Sequence, residues 1–334
     1  MDACEIDMKA VCYRNTKTTL PNWEPIHDRF SRGIGYETDS HFVHFYGTHL
    51  DVWTVSTGLT VTEKKSGSLR EWAERVFGAT DIEEMANDVG QTVSGIWRPA
   101  LLHKEELVHG LENSDSERRL AEQALFILIQ RLEEILLFIE PTPGGLAAYG
   151  HKSRELLILA CTEVENNWAQ YMKRANQAPC IRNYTTQDYV RLHKALFLDE
   201  FEIALPLYPT ILPIRPFLGW DEASPTQSLS WYDAYNKTKH DRGTYFGLAT
   251  VENAINAVAA ALAMFCVRFS PLSLFRENSM LATLSHQVFS LKLTATPTTF
   301  YVPLVELTPD HRDDIVCFDS TKKVRSWTVI PFTL

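Results

Sequence analysis

The stretch WYDAYNKTKHDR, residues 231–242, gathers an amide, an imidazole, two ammonium groups and a guanidinium. On a helix, residues four apart share a face, so Tyr232, Asn236 and His240 form one row, with Lys239 beside Asn236 and Arg242 just past the turn. That face suits a phosphodiester. A histidine moves a proton near neutral pH, while Lys239 and Arg242 can hold phosphate oxygens and stabilise charge in the transition state. RNA brings its own nucleophile, the 2′-hydroxyl, so this chemistry calls for no metal or cofactor. Asp233, Lys237 and Asp241 form a second row of alternating charge. Lys237 is a further ammonium for phosphate, or a solvated lysine between two acids.

Helices must position these groups. Ser230, with Asp233 three residues on, starts the helix that carries them, and Gly243 marks its stop. Thr250 caps a long apolar helix over 251–268. Upstream, ERRLAEQALFILIQRLEEILLFIE (117–140) repeats apolar residues at helical spacing through Leu120, Ala124, Leu128, Leu132, Ile135 and Ile139, and ends at Pro141, Pro143, Gly144 and Gly145. SRELLILACTEVENNWAQYMKRA (153–175) is a second long helix, with Leu156, Leu157, Ala160, Val164, Trp168 and Met172 on one side. TTQDYVRLHKALFLDE (185–200) reads as a third, shorter one. Between it and the chemistry lie prolines 206, 209, 213 and 216, which forbid a continuous helix. That segment is too apolar for a free linker, so it runs extended and buries some of Leu207, Ile211, Leu212, Ile214, Phe217, Leu218 and Trp220.

The fold class this predicts is α+β: a central helical bundle over 116–282, a mixed α/β region over 1–115, and a β-rich segment over 283–334. In the first region HFVHFYG and LDVWTVSTGLTVTEKK read as strands. Ser68 with Glu71 signs a capping box for a short helix, and TDIEEMANDV reads as another helix capped by Thr80. VFSLKLT, TFYVPLVEL, DIVCFD and SWTVIPF read as strands. Whether the two β-rich ends share a sheet is open.

A bundle of helices with a short polar motif of the form Arg-Asn-x-x-x-His before the last helix resembles the HEPN domains of prokaryotic defence and toxin–antitoxin systems, many of them metal-independent endoribonucleases. YNKTKH (235–240) matches the motif, with Asn236 and His240 on its polar positions. The resemblance covers about half the chain, 116–282. It implies that His240 is the general acid or base, that Arg242 and Lys239 hold the phosphate, that Asn236 orients it, and that the protein acts on RNA as a homodimer. Where the family has its arginine this chain has Tyr235, so Arg242, Arg154 or Arg182 must stand in for it, or the module binds RNA, a nucleotide or a protein partner without cutting. An acid commonly supports the motif in such proteins, which points to Glu163, Glu165 or the neighbouring Asn166. Glu163 and Glu165 point roughly 200° apart on a helix, so at most one faces the site.

The remaining features exclude more than they offer. A formal net charge of −10 argues against a general nucleic-acid coat, so any such function needs a local basic patch. The six cysteines contain no C-x-x-C pair and read as free thiols of a reducing compartment. The N-terminus has no apolar signal core, and AINAVAAALAMFCV (254–267) falls short of the ~20 residues of a membrane span. A cytoplasmic protein is therefore expected. His41, His44 and His49 do not share a strand face. HKEELVH (103–109) is not the spaced metalloprotease motif. Asp51 with Glu63-x-Lys65 is a faint echo of metal nucleases. There is no glycine-rich phosphate loop and no G-x-S-x-G.

Overall fold

A computed structural model describes residues 8–17, 31–50, 52–101, 104–275, 279–307, 315–317 and 327–334. Its strands are β1 (Ala10–Arg14), β2 (Arg32–Glu37), β3 (His41–Leu50), β4 (Val52–Lys64), β5 (Thr80–Glu84), β6 (Gln91–Val93), β7 (Phe201–Ala204), β8 (Ser290–Leu293), β9 (Ile315–Cys317) and β10 (Thr328–Ile330). Its helices are α1 (Leu69–Phe77), α2 (Lys104–Leu111), α3 (Asp115–Leu136), α4 (Pro143–Leu146), α5 (His151–Arg174), α6 (Thr186–Tyr189), α7 (Leu192–Ala195), α8 (Ser230–His240), α9 (Arg242–Tyr245), α10 (Val251–Phe269), α11 (Leu272–Phe275) and α12 (Met280–Val288). The chain is thus mixed α and β. It divides into two compact units, one of residues 1–94, 98–112 and 295–330, the other of 95–97, 113–294 and 331–334.

The first unit is built on a six-stranded sheet in the order β5-β1-β2-β3-β4-β9, antiparallel throughout. The C-terminal β9 lies on β4, and β10 pairs in parallel with β6. The question of a shared sheet is answered by these pairings. Ser68 caps α1 with the expected reciprocal bonds to Glu71. Tyr13, Phe42, Tyr46, Trp72 and Phe77 then form an aromatic core. His44 is fully buried within it, its Nδ1 2.6 Å from the Tyr13 hydroxyl and its ring stacked on Phe77, so it is a packing residue and not a metal ligand. Glu63 accepts from Trp72 Nε1 and Arg75, and Lys65 pairs with Glu37, which gives the E-x-K pair structural partners. Asp51, His103 and Cys4 lie outside the described residues.

Two expectations fail here. TDIEE is the edge strand β5, not a capped helix. Backbone pairing on the open edge of β1 overrides local helix propensity, and its charged side chains suit an exposed edge. TFYVPLVEL forms no strand, only isolated bridge residues at Val302, which pairs with Val89, and Val305.

The second unit is helical, with the two-stranded β7-β8 sheet at residues 201–204 and 290–293. Helix α10 is its centre, packing on α3, α5 and α8. Sixteen of its residues are buried, the pattern of a helix apolar all round. It is long and apolar enough to cross a membrane, yet 83% of the relevant window is buried inside this chain. Thr250 caps it as expected, accepting from Asn253 N at 3.1 Å. The predicted inward row of α5 is buried throughout. In α3 the buried face is Leu125, Leu128, Ile129, Leu132, Ile135 and Leu136, while Leu120 is 59% exposed. The third helix is broken into α6, α7 and a 3-10 turn, with Phe197 at φ 53° between α7 and that turn. The proline segment buries Ile214, Phe217 and Trp220, and leaves Leu207, Leu212 and Leu218 exposed.

Candidate functional site

Helix α8 starts at Ser230, as the sequence predicts, but its cap position is Leu229, with no side-chain cap bond. Its anchor is aromatic. Trp231 donates from Nε1 to the Pro216 carbonyl, and Trp220 stacks on Trp168 with centroids 4.7 Å apart. Trp168, Trp220 and Trp231 are therefore packing residues.

The inner side of α8 meets α5 through one carboxylate. Glu165 Oε1 accepts from the Tyr232 hydroxyl at 2.5 Å, and Oε2 accepts from the Tyr235 hydroxyl at 3.0 Å. Lys239 then donates to the Tyr235 oxygen at 2.7 Å, with its ammonium 4.8 Å from the ring centroid. These bonds make a chain Tyr232–Glu165–Tyr235–Lys239 in which charge alternates with hydroxyl dipoles. Burial holds the Tyr232 phenol far above its usual range, and the Glu165 charge adds to the effect. The hydrogen bond from its ammonium to Tyr235 raises the pKa of Lys239. Beneath it, burial pushes the Cys161 thiol well up, so it is an inert core thiol.

Glu165 faces α8, but it serves the two tyrosines and not His240 or Arg242. Glu163 turns the other way. It accepts from Asn167 Nδ2 at 3.1 Å, and burial raises its carboxyl. The two acids do point apart, as the helical period requires. Asn166 is exposed.

The outer end of α8 carries the rest. His240 is its exposed last residue. Asp241 then caps α9, its Oδ1 accepting from Thr244 N at 3.1 Å, and hydrogen bonds from Thr244 lower its pKa. The new cap stops α8; Gly243 lies inside α9 and does not. Arg242, the first residue of α9, is exposed. Asn236 is half-buried and donates to the Tyr232 carbonyl of its own helix at 3.2 Å, so its amide nitrogen is engaged. Lys237 is held by Asp233 at 2.6 Å, with its ammonium 6.0 Å from the Tyr245 ring, which makes it one half of an exposed ion pair.

Arg154, one of the stand-ins for the missing arginine, reaches this end. Its Nε and Nη2 both donate to the Thr238 carbonyl, at 3.3 and 3.0 Å. A cation at a helix C-terminus meets both an orphan carbonyl and the negative end of the dipole. Nearby, Ser153 Oγ donates to the Ala249 carbonyl at 2.6 Å and Val251 N to the Ala148 carbonyl at 2.9 Å, tying the starts of α5 and α10 together. Arg182 is exposed and carries no such contact to α8.

The structure therefore brings His240, Lys239, Arg242 and Arg154 to one end of α8. It withdraws Tyr235, fully buried, from any contact a ligand could make. The Tyr232–Glu165 bond is not among the contacts the sequence predicts. Its signal was a pair of tyrosines three apart on a helix face that must also meet an acid. Among the described residues no group of three His, Cys, Asp or Glu is placed to hold a metal. Compared with protein-family models, curated proteins and solved structures, the chain matches none.

Proposed function

We propose that the helical unit is a HEPN-like RNA-acting module that grips a phosphodiester at the C-terminal end of α8. Lys239 and Arg242 contact phosphate oxygens, and Arg154 fixes the helix end that presents them. The observation that carries this reading is the exposed group of His240, Lys239 and Arg242 on a helix end anchored from below by Glu165 and Arg154. Such a local cationic patch is what RNA contact needs in a chain of net charge −10. The buried Tyr235 favours binding without turnover, because the position of the family's arginine points into the core. Pairing of two copies, as in the family, would bring two such ends onto one RNA.

A second reading, metal-independent cleavage, is favoured by the exposure of His240, which leaves its imidazole open to solvent for proton transfer. Fluorescence anisotropy with a labelled single-stranded RNA, alongside a cleavage assay in excess EDTA, separates the two. The binding module predicts saturable binding that weakens in Lys239→Gln and Arg242→Gln, with no product. Cleavage by wild type but not by His240→Ala, leaving 2′,3′-cyclic phosphate ends, would replace binding with catalysis. Neither binding nor cleavage would reject the whole reading.

A further inference from the structure

The connection from α3 to α5 is short and broken by Pro141 and Pro143, and Thr142 turns it by accepting from Gly145 N at 3.2 Å. Between the end of α3 and the start of α5 lies an open slot of about 270 Å³. Phe138 and Ile139 line it from the exit of α3, and Tyr149, Gly150 and Ser153 from the entry to α5. Nothing lies within 4 Å of where a Cβ at Gly150 would stand. Glu134, the acid of this lining, accepts from Lys152 at 2.5 Å and from Arg131 at 3.1 Å, so its charge is paired at the rim.

The chain keeps most of its large rings inside. Among the described residues, the exposed Phe, Tyr or Trp rings are Phe138, at 84%, Tyr149, at 58%, and Tyr245, at 38%. All three lie at this end of the helical unit. Tyr149 meets Phe246 edge-on, with centroids 5.6 Å apart, and the His151 ring packs on the same Phe246 at 5.0 Å. The backbone at Tyr149 bridges to Thr250, which fixes the slot wall to the cap of α10. A ring left in water forgoes the stabilisation its burial would give, so three such rings in one place mark a contact surface.

The cations of the α8 end stand beside these rings. Ser153 lines the slot, and the next residue, Arg154, holds the Thr238 carbonyl two residues before His240. From the other side, Arg242 precedes Phe246 by four residues, about 6 Å of helical rise, and Tyr245 lies between them. Single-stranded nucleic acid is held by this combination, a cationic track for its backbone and aromatic faces for its bases. The slot is smaller than a drug-sized pocket and is lined by two rings, which suits one flat base rather than a helix of a partner protein.

We infer that the slot takes a nucleobase of the RNA held at the end of α8, stacked on the exposed Phe138 and Tyr149 rings. This rests on the function proposed above, that the α8 end grips RNA. The test is fluorescence anisotropy of the full chain with two labelled strands of equal length, oligoadenylate and the same backbone with abasic sugars. Both carry the same phosphate charge, so a grip on phosphate alone treats them alike. Wild type should bind oligoadenylate more tightly. Phe138→Ala should weaken that strand about five- to a hundredfold, the stacking of one base on one ring, with the abasic strand and the thermal melt unchanged. Phe138→Trp should restore it. Tyr149→Leu should act in the direction of Phe138→Ala, and Tyr149→Phe should bind as wild type does. Lys239→Gln should weaken both strands. Equal affinity for the two strands, with Lys239→Gln still weakening both, overturns the slot and leaves the grip standing. Oligoadenylate binding that Phe138→Ala weakens and Lys239→Gln does not supports the slot and overturns the grip. Binding of neither strand overturns both. Self-association that Phe138→Ala abolishes, with RNA affinity unchanged, would make the slot a contact between copies and overturn the inference.

Discussion

Removing the Tyr232 hydroxyl is the sharpest probe of how α8 is held. In Tyr232→Phe the ring keeps its buried contacts, and the 2.5 Å bond to Glu165 Oε1 is lost. A hydrogen bond to a charged acceptor contributes about 1.5–3 kcal/mol to stability. Glu165 is half-buried and keeps the Tyr235 bond on its other oxygen, so water can replace part of what is removed. The loss should therefore sit in the lower part of that range, about 1.5–2 kcal/mol. With a urea slope of about 2–3 kcal/mol per molar, the midpoint for the helical unit falls by about 0.5–1 M. Tryptophan fluorescence reports it, because Trp168, Trp220 and Trp231 cluster beside the bond. Combining Tyr232→Phe with Glu165→Gln makes the test specific. If the bond is charge-assisted, the double variant loses less than the sum of the singles by about 1 kcal/mol. Additivity within about 0.5 kcal/mol would refute the role assigned to Glu165.

Two further outcomes follow from other parts of the helical unit. Thr250→Ala removes the cap of α10 and should lower stability by about 1 kcal/mol in urea unfolding, with Thr250→Ser recovering most of it. Asp188 is buried, which pushes its pKa up, but bonds from Cys180 and Thr185 outweigh this and leave it below the usual aspartate range. A depressed carboxylate contributes stability above its unfolded pKa of about 3.9 and loses it as pH falls through the folded value. The melting temperature of wild type should therefore fall more steeply below about pH 4 than that of Asp188→Asn. Equal slopes would remove Asp188 from the account.

What the sequence made legible was whatever depends on local period and capping. The buried row of α5, the caps at Ser68 and Thr250 and the start of α8 are all short-range signals. What it hid depends on partners distant in the chain. TDIEE carries a helix-like pattern, and only the open edge of β1 makes it a strand. Leu120 keeps the period of α3 but projects beyond the surfaces that cover the rest of the helix. At the candidate site the row of Tyr232, Asn236 and His240 was drawn correctly on α8, yet the row is not one surface. Its first member is buried against Glu165, its second bonds its own backbone, and only His240 is open to solvent. Arg154 was legible as an alternative cation, but its bond to Thr238 follows from the antiparallel run of α5 and α8.

Helix α10 also bears on how the chain is made. Alone, this segment is an exposed apolar rod, prone to clump with its own kind or to enter a lipid bilayer. On the ribosome, though, α3, α5 and α8 are all synthesised before Val251 is added. The order of synthesis therefore supplies a sleeve before its occupant. A rearranged gene that encoded α10 ahead of those helices would release the same residues with no partner yet made, and the nascent chain would depend on chaperones for the interval.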